Sequence, residues 1–206
     1  MDSNSEKNAL ALQVIPRGWN ASDIGDQSGK HFLITGATSG IGLESARELI
    51  RAGAQVTIAA RDLKKAEQVV KELSSQKAQI LHLDLADLNS VRKAAREVKQ
   101  DIDVLILNAG VMATPFTKTA DDFELQMGVN HLGHFALAGL LADRIKSRVV
   151  SVSSSAHRFG NVAAHSVGSA PLDADCAIRE FAKAAPRSSK ILPRIFGPTL
   201  CKLVFA

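Results

Sequence analysis

The sequence predicts an α/β fold: a doubly wound parallel sheet covered by helices on both faces, in three layers α/β/α. Three observations predict it. Apolar strand runs alternate with amphipathic helix patterns between residues 30 and 154, the connections are short, and a glycine-rich turn at 35–42 joins the first strand to the first helix. Such alternation favours parallel strands, because each crossover helix returns the chain to the same end of the sheet.

The predicted elements follow one another along this region. Five short apolar runs predict strands, at 31–34, 55–60, 79–84, 103–108 and 148–153. Four segments have apolar side chains three or four residues apart and predict helices, at 43–52, 62–73, 88–98 and roughly 120–141. Asp87 or Asn89 is suited to cap the third helix. Right-handed crossovers between these strands give the doubly wound order.

The glycine turn reads TGATSGIG over residues 35–42. Gly36 permits a tight turn, and Gly40 and Gly42 have no side chain to hold the backbone away from a pyrophosphate. The following helix presents unpaired N–H groups and the positive end of its dipole to phosphate oxygens. The turn therefore predicts a dinucleotide site, and the alternative is an ordinary strand-to-helix connection.

Size and composition indicate one sizeable globular domain. The chain has 206 residues, of which 46% are hydrophobic, and its net charge is +4. The basic residues are scattered along helices beside acidic ones, which favours a solvated surface over a nucleic-acid partner. Those considered are Arg51, Lys64, Lys65, Lys71, Lys93 and Arg96.

Other features of the sequence bear on a metal site, a membrane span and the location of the protein. Cys176 and Cys201 form no metal-ligand or redox pattern, so no metal site is predicted. No apolar run reaches the length of a membrane span. Because residues 1–8 are polar, the expected location is cytoplasmic.

The pattern divides the chain into three parts. We expect a poorly ordered segment at 1–18, the nucleotide-binding domain at 19–160, and a degenerate or truncated tail at 161–206. Pro186, Pro193 and Pro198 interrupt any regular element in the tail. The sheet is therefore expected to be incomplete at its C-terminal edge.

Five sites stand at the predicted strand ends and in the last helix. They are the glycine turn, Asp84-Leu85, Asn108-Ala109-Gly110, Asn130 within VNHLGHF, and Ser153-Ser154. In order and spacing they resemble the corresponding sites of the short-chain dehydrogenase/reductase family. The local sequence around Asn130 and Ser154 resembles the retinol-dehydrogenase-like branch of that family. The resemblance implies a Rossmann-type fold and hydride transfer between a nicotinamide cofactor and a small alcohol or carbonyl.

The resemblance also implies which residues bind the cofactor. Its phosphates would be held by Gly36, Ser39, Gly40, Ile41 and Gly42. Asp84 and Leu85 would contact the adenine ring, although Asp84 also suits a turn cap. Asn108, Ala109 and Gly110 would pass under the ribose on the nicotinamide side.

Arg61 bears on the choice between NADP and NAD. It follows the second predicted strand, whose end reaches the adenosine ribose in this family. A guanidinium there favours the 2′-phosphate of NADP, because it offers several charge-assisted donors. Asp62 is suited either to bond the ribose or to cap a helix, and NADP is the expected cofactor, with NAD less favoured.

The implied catalytic set is incomplete. Ser154 matches the serine that bonds the reacting oxygen, with Ser153 and Ser155 as neighbours. Asn130 matches the asparagine that holds the catalytic lysine through water, unless it is a structural hydrogen-bonder. Lys190 is a weak match to that lysine, and otherwise an ordinary surface residue. The sequence has no tyrosine, and in this alignment Pro186 replaces the proton donor.

Two functions follow from these predictions. The first is an NAD(P)-dependent oxidoreductase with a small-molecule alcohol or carbonyl substrate. The second is a catalytically inactive nucleotide-binding remnant or regulatory relative, because the Tyr-x-x-x-Lys pair is missing. Neither includes nucleic acid or a membrane span, and nothing in the sequence supports an oligomer.

Overall fold

Five parallel strands form one sheet in the computed structural model, which describes residues 17–153. Their spatial order is β3-β2-β1-β4-β5, so the order reverses beside the first strand and the predicted doubly wound topology is confirmed. The strands are β1 His31–Thr35, β2 Gln55–Ala60, β3 Ala78–His82, β4 Ile102–Leu107 and β5 Ile145–Ser151. Among the described residues, β5 pairs with β4 alone.

Helices connect these strands, and the first three lie close to their predicted positions. They are α1 Gly40–Arg51, α2 Leu63–Leu73, α3 Leu88–Glu97, α4 Leu125–Met127 and α5 His134–Leu140, with short 3₁₀ turns at Ala21–Asp23 and Ala142–Arg144. Asp62 caps α2 by accepting the Lys65 N–H at 3.1 Å. Of the two candidates for α3, Asp87 is the N-cap, and its Oδ1 accepts the Asn89 N–H at 2.8 Å.

The core is divided between the two faces of the sheet. Phe32 and Ile34 point to the face covered by α1 and α2, and Leu33 points to the face covered by α3 and α5. This alternation along β1 is the two-residue period of a strand, and all three side chains are buried. The strand is apolar throughout because both faces are covered, as the three-layer prediction requires.

The long helix predicted at 120–141 is wrong at its start and in its middle. The helix begins at Leu125, where both carboxylate oxygens of Glu124 accept backbone N–H groups of the first turn. Before it the chain makes a tight turn in which Asp122 has a φ of 70°. A π-helical turn, Gly128–Gly133, then joins α4 to α5. Apolar periodicity alone does not reveal either feature.

The predicted boundaries 1–18, 19–160 and 161–206 fall partly outside the described residues. Ser154, Pro186, Lys190 and both cysteines lie wholly outside them. Within residues 17–153, none of the helices combines the length and the apolar character that crossing a membrane requires.

Candidate nucleotide-binding site

The predicted cofactor residues lie along one edge of the sheet. Because all five strands are parallel, their carboxyl ends meet there, and the segments that follow each strand are neighbours. The glycine turn follows β1, between Arg61 after β2 and Asn108 after β4. A crevice at this reversal of strand order is where open α/β sheets bind ligands.

The glycine turn approaches the end of β4 so closely that it excludes side chains. Gly36 has a φ of 69°, and a Cβ there would stand 2.7 Å from the Ala109 Cα. A Cβ on Gly42 would collide with the Asn108 Nδ2 and stand 2.6 Å from the Gly36 carbonyl oxygen. Part of the requirement for glycine therefore comes from packing within the protein.

The N-terminus of α1 is open at this edge. Its N-cap, Ser39, makes no side-chain cap bond, and the first turn has no acidic residue. Ser39, Gly40 and Ile41 are exposed, and Ile41 is 71% exposed. A twelve-residue helix with uncapped N–H groups presents a partial positive charge to an anion.

Asn108 and Thr35 join the glycine turn to β4. The Asn108 Nδ2 donates to the carbonyl oxygens of Thr35 at 3.0 Å and Gly36 at 3.2 Å. The Thr35 Oγ1 accepts the backbone N–H groups of Asn108 and Ala109, each at 3.0 Å. The ends of the two strands are thereby fixed to each other.

His134 connects this junction to α5. Its Nε2 lies 2.8 Å from the Thr35 Oγ1, and its Nδ1 lies 3.1 Å from the carbonyl oxygen of Asn130. Burial lowers the pKa of the His134 imidazole to about 4, a shift that the Asn130 hydrogen bond opposes and nearby His131 reinforces. The imidazole is therefore neutral at physiological pH.

The Asn130 side chain holds the segment that follows β4. Its Oδ1 accepts the Val111 N–H at 2.8 Å, and its Nδ2 donates to the Val111 carbonyl at 2.9 Å. Both polar atoms of the amide are thus engaged with one backbone residue. This is the structural hydrogen-bonder that the sequence left open, and the role beside a catalytic lysine stays a prediction.

Arg61 and Asp62 differ in their engagement. Arg61 is exposed, and its guanidinium has no hydrogen-bond or ion-pair partner among residues 17–153. Asp62 is the N-cap of α2. At the end of β2, the arginine is the side chain left for a ligand.

Asp84 and Leu85 follow β3 by two and three residues. The Asp84 Oδ1 accepts the Ala86 N–H at 2.9 Å, and its own N–H donates to the Ser90 Oγ at 3.0 Å. Leu85 is 7% exposed and packs in the core. Asp84 therefore stabilises a turn, and any contact of Leu85 with an adenine ring would come from its backbone.

The catalytic candidates are only partly brought together. Asn130 lies beside Gly110, whose Cβ would stand 3.5 Å from the Asn130 Oδ1. Ser153 is described and exposed after β5, whereas Ser154 and Lys190 lie outside the described residues. Sequence reasoning missed Thr35 and His134, although a threonine ending a buried apolar strand and a histidine four residues after Asn130 were available signals.

Comparisons with known proteins agree with this geometry. The family model for short chain dehydrogenase matches residues 30–170. Human retinol dehydrogenase 11 is 45% identical over 150 residues, which are 68% of this chain and 47% of that protein. The chain thus spans about half the length of the curated relatives it matches.

Solved structures share the fold. A crystal structure from Mycobacterium Paratuberculosis superposes with a TM-score of 0.69 at 41% identity, covering 82% of this chain and 69% of that one. The 3-ketoacyl-(acyl-carrier-protein) reductase of Brucella melitensis, complexed with NADH, gives a TM-score of 0.54 at 27% identity. That match covers 63% of this chain and 59% of the reductase.

Proposed function

Because the chain belongs to the short chain dehydrogenase family, we propose that it binds NADP(H) at the carboxyl edge of its sheet. It would supply the cofactor half of an oxidoreductase acting on a small alcohol or carbonyl. When bound, the nicotinamide supplies or accepts the hydride. The observation that carries the proposal is the open N-terminus of α1, held at the end of the central strand by Asn108.

The pyrophosphate is assigned to this N-terminus. The backbone N–H groups of its first turn have no side-chain cap and no competing carboxylate. The two negative charges of a pyrophosphate gain from both the unpaired donors and the helix dipole. The space beside Gly40 is open, since a Cβ there would meet no atom within 4 Å.

The adenosine end is assigned to Arg61 and Asp84. A free guanidinium at the end of β2 supports a 2′-phosphate, because it forms paired charge-assisted hydrogen bonds with phosphate oxygens. Asp62 is less suited to a ribose, since its carboxylate caps α2. One oxygen of the Asp84 carboxylate accepts the Ala86 N–H, and the other is assigned to the adenine.

The nicotinamide end is assigned to Asn108, Ala109 and Gly110. Small residues allow the backbone to approach a ribose closely. The Asn130 amide fixes this segment through Val111. In this assignment Asn130 positions the segment 108–111 beside the cofactor, whether or not it also bonds a catalytic lysine through water.

A second candidate function is nucleotide binding with little or no turnover. The observation that favours it is the absence of tyrosine from the sequence, because no phenol is then present to hold or move the proton of the reacting oxygen. Loss of a positioned general acid lowers a rate by about 10²–10⁴-fold. Ser154 would still bond the substrate oxygen, and Lys190 the ribose.

One experiment tests both candidates. NADPH and NADH are titrated into the full chain by calorimetry, and turnover is then assayed with a panel of aldehydes and ketones. We expect NADPH to bind more tightly than NADH, without appreciable turnover. Rapid reduction would contradict the inactive candidate and support the oxidoreductase, whereas the absence of nucleotide binding would contradict both.

A further inference from the structure

A basic cavity lies at the opposite edge of the sheet from the nucleotide-binding site. Helices that connect parallel strands run against them, so the C-terminal ends of α3 and α5 lie where β4 and β5 begin. A cavity of about 530 Å³ opens there. Its lining residues, drawn from α3, α5 and the segments that follow them, are Arg92, Ala95, Arg96, Lys99, Leu140 and Arg144.

Four of these six residues are cations, and none is acidic. Of the carboxylates nearby in the chain, Glu97 pairs with Lys93 at 3.9 Å and Asp101 with Lys146 at 3.0 Å, and Asp143, beside Arg144, also has an interaction. Within residues 17–153, the Arg96 guanidinium has no partner at all. The sequence suggested basic residues scattered among acids, but folding gathers these four around one space.

The other cations are held in place while keeping free donors. The Arg144 Nη1 donates to the Lys99 carbonyl at 3.0 Å, and the Lys99 Nζ donates to the Arg96 carbonyl at 2.7 Å. The Arg92 Nη1 donates to the Asn89 Oδ1 at 3.3 Å. A guanidinium has five N–H donors, so each arginine retains most of its capacity for a ligand.

Attraction to the C-terminal end of a helix dipole does not by itself explain these four cations. Cations in a last turn complement a helix dipole, which explains Arg96 at the end of α3. Arg92 lies in the middle of that helix and has no such benefit. Four like charges around one cavity repel each other, and this repulsion destabilises the fold unless an anion neutralises it.

We propose that the cavity is a binding site for the phosphate group of a phosphorylated ligand. Three arginines suit phosphate, because the planar guanidinium pairs with two of its oxygens at once. Ala95 and Leu140 give the cavity an apolar wall, against which charge pairs are less screened by water. The site is separate from the nucleotide site and does not depend on the proposed function.

The same phosphate chemistry occurs in soluble esters and in lipid headgroups, and two probes distinguish these sources. The first is inorganic pyrophosphate, titrated into the full chain by calorimetry at low salt, without and with excess NADPH, because the proposed nucleotide site also accepts a pyrophosphate group. The second is a set of vesicles of equal parts phosphatidylglycerol and phosphatidylcholine, with pure phosphatidylcholine as the control, scored by co-sedimentation.

Variants locate the binding. Arg96→Glu and Arg92→Gln alter the cavity, and Lys64→Glu reverses an exposed charge on α2, on the opposite face of the sheet. We expect Arg96→Glu to weaken binding by about tenfold or more, because charged hydrogen bonds are lost and a positive charge is replaced by a negative one that repels phosphate. Arg92→Gln should weaken it less, and Lys64→Glu should leave it unchanged.

The outcomes separate the possibilities. Binding of pyrophosphate with this variant pattern supports a soluble phosphorylated ligand, and the same pattern with phosphatidylglycerol vesicles alone supports a headgroup. Equal losses in the α2 and cavity variants, binding unaffected by Arg96→Glu, or no binding of either probe would overturn the site. Far-ultraviolet circular dichroism checks that these surface variants keep the fold.

Discussion

Thr35 and His134 lie 99 residues apart in the chain, yet their side chains meet at 2.8 Å at the end of the central strand. The direction of each hydrogen bond follows from the acceptors. The His134 Nδ1 faces the Asn130 carbonyl, which only accepts, so Nδ1 carries the proton and the neutral ring leaves Nε2 as an acceptor. The Thr35 hydroxyl therefore donates to Nε2, while its oxygen accepts the N–H groups of Asn108 and Ala109.

The first prediction concerns the number of bonds that Thr35 makes. Thr35→Val keeps the shape but leaves three buried groups without partners, namely the His134 Nε2 and two backbone N–H groups. We expect a loss of about 3 kcal/mol in the free energy of unfolding, measured by urea denaturation at pH 7.5. Thr35→Ser should recover most of it.

A similar pair elsewhere in the fold provides the comparison. The Thr57 Oγ1 lies 2.8 Å from the His31 Nε2, while the His31 Nδ1 faces the Asp101 carbonyl at 2.9 Å. Thr57→Val removes this one bond, so its expected loss is about 1 kcal/mol. Equal losses for Thr35→Val and Thr57→Val would show that the junction at Thr35 adds no stability of its own.

The second prediction is a pH dependence that comes from His134. Its pKa is about 4 in the folded protein and about 6.5 when unfolded, so between these values the unfolded chain binds more protons. Stability is thus fully present above pH 6.5 and falls as the pH drops towards 4. The contribution of His134 lowers the free energy of unfolding by about 2 kcal/mol between pH 7.5 and pH 5.

Urea denaturation at both pH values isolates this contribution. His134→Asn should lower stability at pH 7.5 and make the loss between the two pH values smaller by about 2 kcal/mol. The control is His82→Asn, since His82 is exposed on β3. If His134→Asn and the wild type lose the same amount between the two pH values, the buried neutral imidazole is not the source.

The sequence predicted the sheet well because its signals are local. An apolar run such as Gln55–Ala60 is recognised because nearly all of its residues are buried together. An N-cap such as Asp62 is recognised because it bonds a residue three positions away. The Thr35–His134 bond joins distant residues, and no local pattern specifies it. Gly133, the last residue of the π-helical turn, makes the same kind of distant contact, because a Cβ there would stand 2.5 Å from the Leu85 carbonyl oxygen.

The candidate site shows the same division. The position of the glycine turn after a strand predicts a cofactor site, and the family resemblance implies the same for Asn108. Their second task, fixing β1 to β4, appears only when the two segments are folded together. The Asn130 amide likewise binds Val111, a partner that its spacing does not indicate.

The third prediction tests the close packing at the glycine turn. Gly42→Ala places a methyl group against the Asn108 amide and 2.6 Å from the Gly36 carbonyl oxygen. We expect a loss of about 2 kcal/mol in stability from overpacking, with weaker NADPH binding because Asn108 is displaced. Gly25→Ala, where a Cβ meets no atom within 4 Å, is the control and should be nearly neutral. Unchanged stability of Gly42→Ala would contradict the packing described.

The fourth prediction tests cofactor choice. Arg61→Asp should weaken NADPH binding by roughly 10–100-fold, because charged hydrogen bonds to a 2′-phosphate are lost and a carboxylate repels it. NADH binding should change little. Lys64→Glu, a charge reversal on the adjacent helix, should affect neither cofactor strongly. Equal losses of NADPH and NADH affinity in Arg61→Asp, measured by calorimetry, would contradict the assignment.

The last prediction concerns Asn130, whose amide both accepts from and donates to the Val111 backbone. Asn130→Leu is similar in size but removes both partners of the Val111 backbone. We expect amide hydrogen exchange at Val111 to quicken by about tenfold or more, since a hydrogen bond of about 1–2 kcal/mol to its N–H is lost. NADPH affinity should fall with it, because the segment 108–111 loses its fixed position. The same change at exposed Asn89, in the first turn of α3, should leave Val111 exchange untouched. If Val111 exchanges at the wild-type rate in Asn130→Leu, the amide does not hold this segment.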